Sequence, residues 1–132
     1  MIAADTNLLI RHLTQDDPTQ AEKVAKLFDE AEVEMEPVFV AQIVLCELCW
    51  VLKAVYRFKK PQIVIALRAV LDDGIFHVQE RPLVEEALKR YDRHAGQFPD
   101  HLLGVVAKQQ GASTTYTFDR EVGKFSGFTL LK

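Results

Sequence analysis

The sequence predicts an α/β fold, a three-layer α/β/α sandwich around a central parallel sheet. Short apolar runs alternate with longer helical patterns, the order expected when β–α units feed a parallel sheet. The opening run Met1-Ile2-Ala3-Ala4 is charge-free and short, as a strand buried in such a sheet would be. With 132 residues, 48% hydrophobic and 27% charged, residues 1–132 have the size and balance of a single globular domain.

After that first strand, Asn7 to Leu13 reads as a short helix, and Pro18 to about Ala31 as an amphipathic one with Ala21, Val24, Ala25, Leu27 and Phe28 apolar. Pro37 to Val40 is a short strand. Gln42 to about Phe58 is a strongly apolar helix, and Pro61 to Leu71 another, with proline in its first turn. Gly74 to Val78 reads as the third strand, and Arg81 to about His94 as a helix stopped by Ala95-Gly96. Pro99 opens a helix that ends at Gly111, a good residue for a left-handed stop. Ser113 to Phe118 is a fourth strand, Asp119 begins a helical turn, and Phe128 to Leu131 is an edge strand. A sheet so built is expected to be covered on both faces.

Charge and composition exclude several classes. With 16 basic and 19 acidic residues the net charge is −3, so the chain does not grip nucleic acid by bulk positive charge. A local basic patch, or metal ions bridging carboxylates to phosphates, stays open. No apolar run approaches the ~20 residues of a membrane span. No signal-peptide pattern precedes the first strand, so the protein is expected in the cytoplasm. Cys46 and Cys49 form a C-x-x-C, but there is no second pair to complete a zinc site, and they lie inside an apolar stretch. They read as buried small hydrophobes.

Four carboxylates stand out. Asp5 follows the first strand directly, at the end where ligands collect in α/β sheets, although Asp is also a favoured helix cap. Glu47 is the only charged residue between Pro37 and Leu52. A carboxylate there needs a buried partner, a functional site, or a helix turned so that it reaches water. Asp100 sits in the first turn of its helix, where the dipole favours an anion, and Asp119 follows the fourth strand. If strands 1 and 4 are neighbours, Asp5, Asp100 and Asp119 converge at one sheet edge, and Glu47 reaches in from its helix. Such carboxylates repel unless cations neutralise them, and hard oxygen ligands suit Mg²⁺ or Mn²⁺. Metal-activated water attacking a phosphodiester is the natural chemistry. No Walker A loop, G-x-G-x-x-G or G-x-S-x-G is present.

With these residues in place, the chain resembles PIN-domain nucleases, and more narrowly the VapC-type ribonuclease toxins of toxin–antitoxin pairs. The resemblance spans "IAADTNLLIRHLTQDDPTQ", "LCELCWVL", "FPDHLLGVVAKQQGA" and "TYTFDREVGKFSGFTLL". It implies a PIN-like fold and a Mg²⁺- or Mn²⁺-dependent endoribonuclease whose catalytic and metal-binding acids are Asp5, Glu47, Asp100 and Asp119. It also implies an RNA substrate, a VapB-type antitoxin that offers an arginine to the acids, and a homodimer. A PIN-domain nuclease of RNA processing or decay, with no toxin role, is the alternative. Many relatives have an aspartate where this chain has Gln97, which weakens the expectation of a second metal ion. His101, where a small residue is more usual, is expected to face solvent.

Other classes fit less well. A phosphoacceptor receiver needs paired acids at its first strand and an acid after the third, and this chain has neither. A binding module has no use for Glu47 in an apolar helix beside three strand-end and helix-start acids. The apolar surface of the first two helices and of "WVLKAVYRF" suits either a protein interface or core. The patch Arg57 to Lys60 suits either an RNA backbone or a solvated helix C-terminus.

Overall fold

Val38–Val40 (β2) is the middle strand of a parallel sheet, flanked by Ile2–Ala3 (β1) and Phe76–Val78 (β3). The computed structural model describes every residue from Met1 to Lys132 and divides into two units, Met1–Arg81 and Pro82–Lys132. The register sets Ile2 beside Val38 and Val38 beside Phe76, and likewise Ala3, Phe39 and His77. Because successive side chains leave opposite faces of a strand, one face holds Val38, Val40, Phe76 and Val78, all buried. The other face holds Ala3 and His77, which are exposed, and Phe39, which is half-buried.

Thr6–Thr14 (α1) and Pro18–Val33 (α2) connect β1 to β2, and Gln42–Ala54 (α3) and Lys60–Asp72 (α4) connect β2 to β3. Both crossovers step to the next strand in the same direction, so right-handed connections carry all four helices over one face. The observed packing of α1 on α2 and α3, and of α3 on α4, follows from that. Leu45, Leu48 and Leu52 form the inner stripe of α3 and are fully buried. Each stabilises the unit by about 1.5–3 kcal/mol relative to an exposed side chain.

The third helix ends at Ala54, several residues earlier than its apolar pattern predicts. Arg57 takes a left-handed backbone (φ 58°), and the Phe58 amide donates to the Leu52 carbonyl at 2.9 Å, closing the turn. That conformation costs a residue other than glycine ~1–2 kcal/mol. A network at the preceding residue offsets it. Tyr56 donates to Asp16 Oδ2 at 2.7 Å, while Arg11 and Thr14 donate to Asp16 Oδ1, each at 2.9 Å. Arg57 to Lys59 of the patch therefore lie in the turn leading into α4, and Lys60 begins that helix; the patch is not on a helix C-terminus.

In the second unit, Arg81–Arg93 (α5) and Phe98–Gln109 (α6) precede Thr115–Thr117 (β4), a 3₁₀ turn at Val122–Lys124 and Phe128–Leu130 (β5). β4 and β5 are parallel and pair only with each other, while β1 pairs only with β2. The neighbour relation of strands 1 and 4 considered from sequence is thus absent from the hydrogen-bonded ladders. Gly104 lets β5 approach α6, because a Cβ there would fall 2.5 Å from the Phe128 ring. No helix is long and apolar enough to cross a membrane.

Candidate metal centre

In the first unit, Asp5 is both strand-end residue and N-cap of α1. Its backbone is extended, and Oδ1 accepts from the Asn7 amide at 3.1 Å and the Leu8 amide at 3.4 Å. That satisfies two amides the helix cannot pair itself, and it leaves Oδ2 without a protein donor. Asp5 also lines a cavity of about 400 Å³ with Asn7, Leu8, Arg11, Gln20 and Lys23. Arg11 is held there by Asp16 at 2.9 Å and by Gln20 at 2.7 Å.

Glu47 lies on the outer face of α3 and is exposed, with no ion pair and no hydrogen bond to its carboxylate. The run around it is apolar for two reasons at once. Leu45, Leu48 and Leu52 face the core, whereas Ile43 and Trp50, within a turn of Glu47 on the same face, are exposed. The buried ion pair considered from sequence is not formed.

In the second unit, Asp100 Oδ2 accepts from the Gln97 amide at 2.9 Å, so the acid closes the first turn of α6 from inside. Asp119 repeats the device of Asp5. Its Oδ1 accepts from the Glu121 amide at 2.9 Å and the Val122 amide at 3.2 Å, at the start of the 3₁₀ turn. Its own amide donates to Thr117 Oγ1 at 3.0 Å.

Three of the four acids are thus capping groups, each with one oxygen fixed and the other open. Cap and ligand are compatible roles, since fixing one oxygen orients a carboxylate in the way that outer hydrogen bonds orient metal ligands. The donor set is all hard oxygen, which fits Mg²⁺ or Mn²⁺ and does not fit a soft metal. No group of three or more His, Cys, Asp or Glu side chains is gathered closely enough to enclose an ion.

Residues 2–127 match the family model of the PIN domain. The chain belongs to the PIN-domain family. This PIN domain is 30% identical over 120 residues to a protein of Aquifex aeolicus (strain VF5) named VapC ribonuclease, covering 91% of this chain and 88% of the relative. No solved structure matches it. The α/β architecture with a central parallel sheet agrees with the family and with the sequence reading.

One residue of this PIN domain departs from expectation. His101 is 3% exposed rather than solvent-facing. A ring nitrogen lies 2.8 Å from the Ala95 carbonyl, and the ring stacks on Phe125 with centroids 4.8 Å apart. The signal was present in the sequence: Phe98, His101, Leu102 and Val105 share one helical face, and all four are buried. Cys49 is buried and Cys46 half-buried, both free, and burial pushes both thiols up. Cys49 fits the expected buried small hydrophobe, whereas Cys46 is only partly covered.

Proposed function

We propose that this PIN domain is a Mg²⁺- or Mn²⁺-dependent endoribonuclease and the toxin of a toxin–antitoxin pair. In this reading residues 1–132 work as one nuclease domain in the cytoplasm, and Asp5, Glu47, Asp100 and Asp119 are its metal-binding and catalytic acids. The observation that supports it best is the half-used carboxylate. Asp5, Asp100 and Asp119 each have one oxygen pinned by backbone amides and one open. The name of the Aquifex relative, a VapC ribonuclease, points to RNA as the substrate.

When bound, the cation supplies charge stabilisation on a phosphodiester and acidifies a water for attack. The chain's own contribution is to hold the open oxygens ready. The amides of Asn7 and Leu8 restrict rotation of the Asp5 carboxylate, those of Glu121 and Val122 restrict Asp119, and that of Gln97 restricts Asp100. Gln97 is a neutral cap; the family resemblance leads one to expect an acid there, and its absence supports one ion rather than two.

A VapB-type antitoxin and a homodimer complete the reading. Ile43 and Trp50, exposed on one face of α3, support a protein-binding surface, since large apolar side chains grouped in water mark interfaces. The test is cleavage of end-labelled RNA by purified protein. Activity with Mg²⁺ or Mn²⁺, abolished by EDTA, is expected, and metal-independent cleavage or none at all would refute the reading.

A further inference from the structure

The second unit contains a cavity that the four acids do not account for. Arg90, His94, His101, Lys124, Phe125 and Ser126 line a cavity of about 210 Å³. In a chain with 19 acidic residues and net charge −3, these walls hold two permanent cations, two imidazoles and a hydroxyl, and no carboxylate.

The two cations are differently prepared. Arg90 Nε donates to Glu86 Oε1 at 3.0 Å, one helical turn back, and that bond holds the Glu86 carboxyl below the usual range. The pairing uses one edge of the guanidinium and leaves both Nη groups, the fork that matches two oxygens of a phosphate. Lys124 is tied to Glu121 only at 3.6 Å, with both side chains largely exposed, a pair easily exchanged for a phosphate.

The cavity also adjoins a proposed ligand. Gly96 has φ +91°, and a Cβ there would lie 2.8 Å from Phe125 Cε2 and 3.5 Å from Asp100 Oδ2. The Phe125 ring that walls the cavity and the pinned Oδ2 of Asp100 therefore both lie beside Gly96, whose positive φ favours glycine.

We propose that this cavity is a phosphate-binding subsite for the RNA strand beside Asp100, with Arg90 and Lys124 as its charged contacts and Ser126 as a hydroxyl donor. The inference rests on the ribonuclease reading for the identity of the strand. A backbone phosphate next to the one cleaved would sit in it, which places RNA without reading its sequence.

The test is binding of a single-stranded RNA oligonucleotide in EDTA, measured against salt for the intact protein and for R90Q/K124Q. The double variant should melt normally and bind about tenfold more weakly. Its log–log salt slope should be smaller by ~0.7 or more, the loss of at least one phosphate contact to a single strand. Millimolar inorganic phosphate should shift the His94 and His101 ring resonances of the parent and not of the variant. R90K should keep more affinity than R90Q. Unchanged affinity and slope in R90Q/K124Q would overturn the subsite even if metal-dependent cleavage is intact. Weakened binding would support it even if cleavage is never seen. A polyglutamate peptide that shifts the same resonances while phosphate does not would overturn it in favour of a protein carboxylate.

Discussion

Asp5 in the N-terminal unit and Asp119 in the C-terminal unit each follow a parallel strand, and each turns one oxygen back onto two amides of the next turn. The second acids of the two units differ. Asp100 closes its own helix turn on the Gln97 amide, whereas Glu47 stands on an outer helix face with no partner at all. Three acids are thus oriented by the fold itself, and the fourth has no partner to orient it. If the proposed site is right, removing one of the first three changes both fold and site, and removing Glu47 changes the site alone.

The largest expected effect is on the oriented acids. Asn caps a helix as well as Asp does, so Asp5→Asn keeps the bonds from Asn7 and Leu8 and removes only charge. Cleavage of labelled RNA should fall by roughly 10²-fold or more, with an unchanged melting temperature. Asp5→Ala should lose the cap as well, about 1 kcal/mol of stability. Equal activity of Asp5→Asn and parent would remove Asp5 from the site. If the protein is a toxin, expression of the parent should arrest growth and Asp100→Asn should relieve it.

Much of this was legible in the sequence, and the limits have physical causes. The order of strands and helices follows from periodicity and from Pro and Gly punctuation, as at Pro18, Pro99 and Gly111. The end of α3 was misplaced because apolar residues continue to Phe58, while the left-handed turn at Arg57 uses a residue type that does not announce it. Whether Glu47 is paired, functional or turned to water stays open from sequence because both faces of α3 are apolar. Periodicity alone cannot say which of two apolar faces meets water. His101 reads as a solvent-facing neighbour when no catalytic histidine is needed, although its spacing from Phe98 and Val105 marks the inner face. The cavity at Arg90, Lys124 and Phe125 joins residues far apart in the chain, which no local pattern reveals.

Packing beneath the C-terminal acids gives the next largest effect. Gly104→Ala must displace the Phe128 ring and should cost about 1–3 kcal/mol despite alanine's better helix propensity. A denaturant melt showing stabilisation instead would mean that β5 is not held against α6 as described.

For Glu47 the expectation is a small effect on the metal-free protein. Glu47→Gln should change stability in EDTA by no more than ~0.5 kcal/mol, as for other exposed positions, and should reduce the stabilisation gained from Mg²⁺ or Mn²⁺. A loss of ~3–5 kcal/mol in EDTA would indicate a broken buried pair and withdraw Glu47 from the site.

The smallest effect concerns the network that sets the turn after α3. Hydrogen bonds from Tyr56 and Thr14, then the charge of Arg11, hold the Asp16 carboxyl below its ordinary value. A depressed folded value means the contribution is complete above the ordinary aspartate pKa of ~3.9 and is lost as pH falls through the folded one. Tyr56→Phe should therefore lower stability slightly at neutral pH and flatten the acid limb, so that variant and parent converge as the pH falls below about 4. An unaltered acid limb would show that Tyr56 does not hold Asp16 in solution.

The most direct test of the central claim is calorimetric titration of Mn²⁺ into the parent and into Asp5→Asn, Glu47→Gln, Asp100→Asn and Asp119→Asn. All four substitutions keep shape and remove one charge. The account predicts that the parent binds and that each variant binds at least about tenfold more weakly, the scale seen when a metal site loses a supporting group. A parent that takes up no Mn²⁺, or four variants that bind it as tightly as the parent, would contradict it.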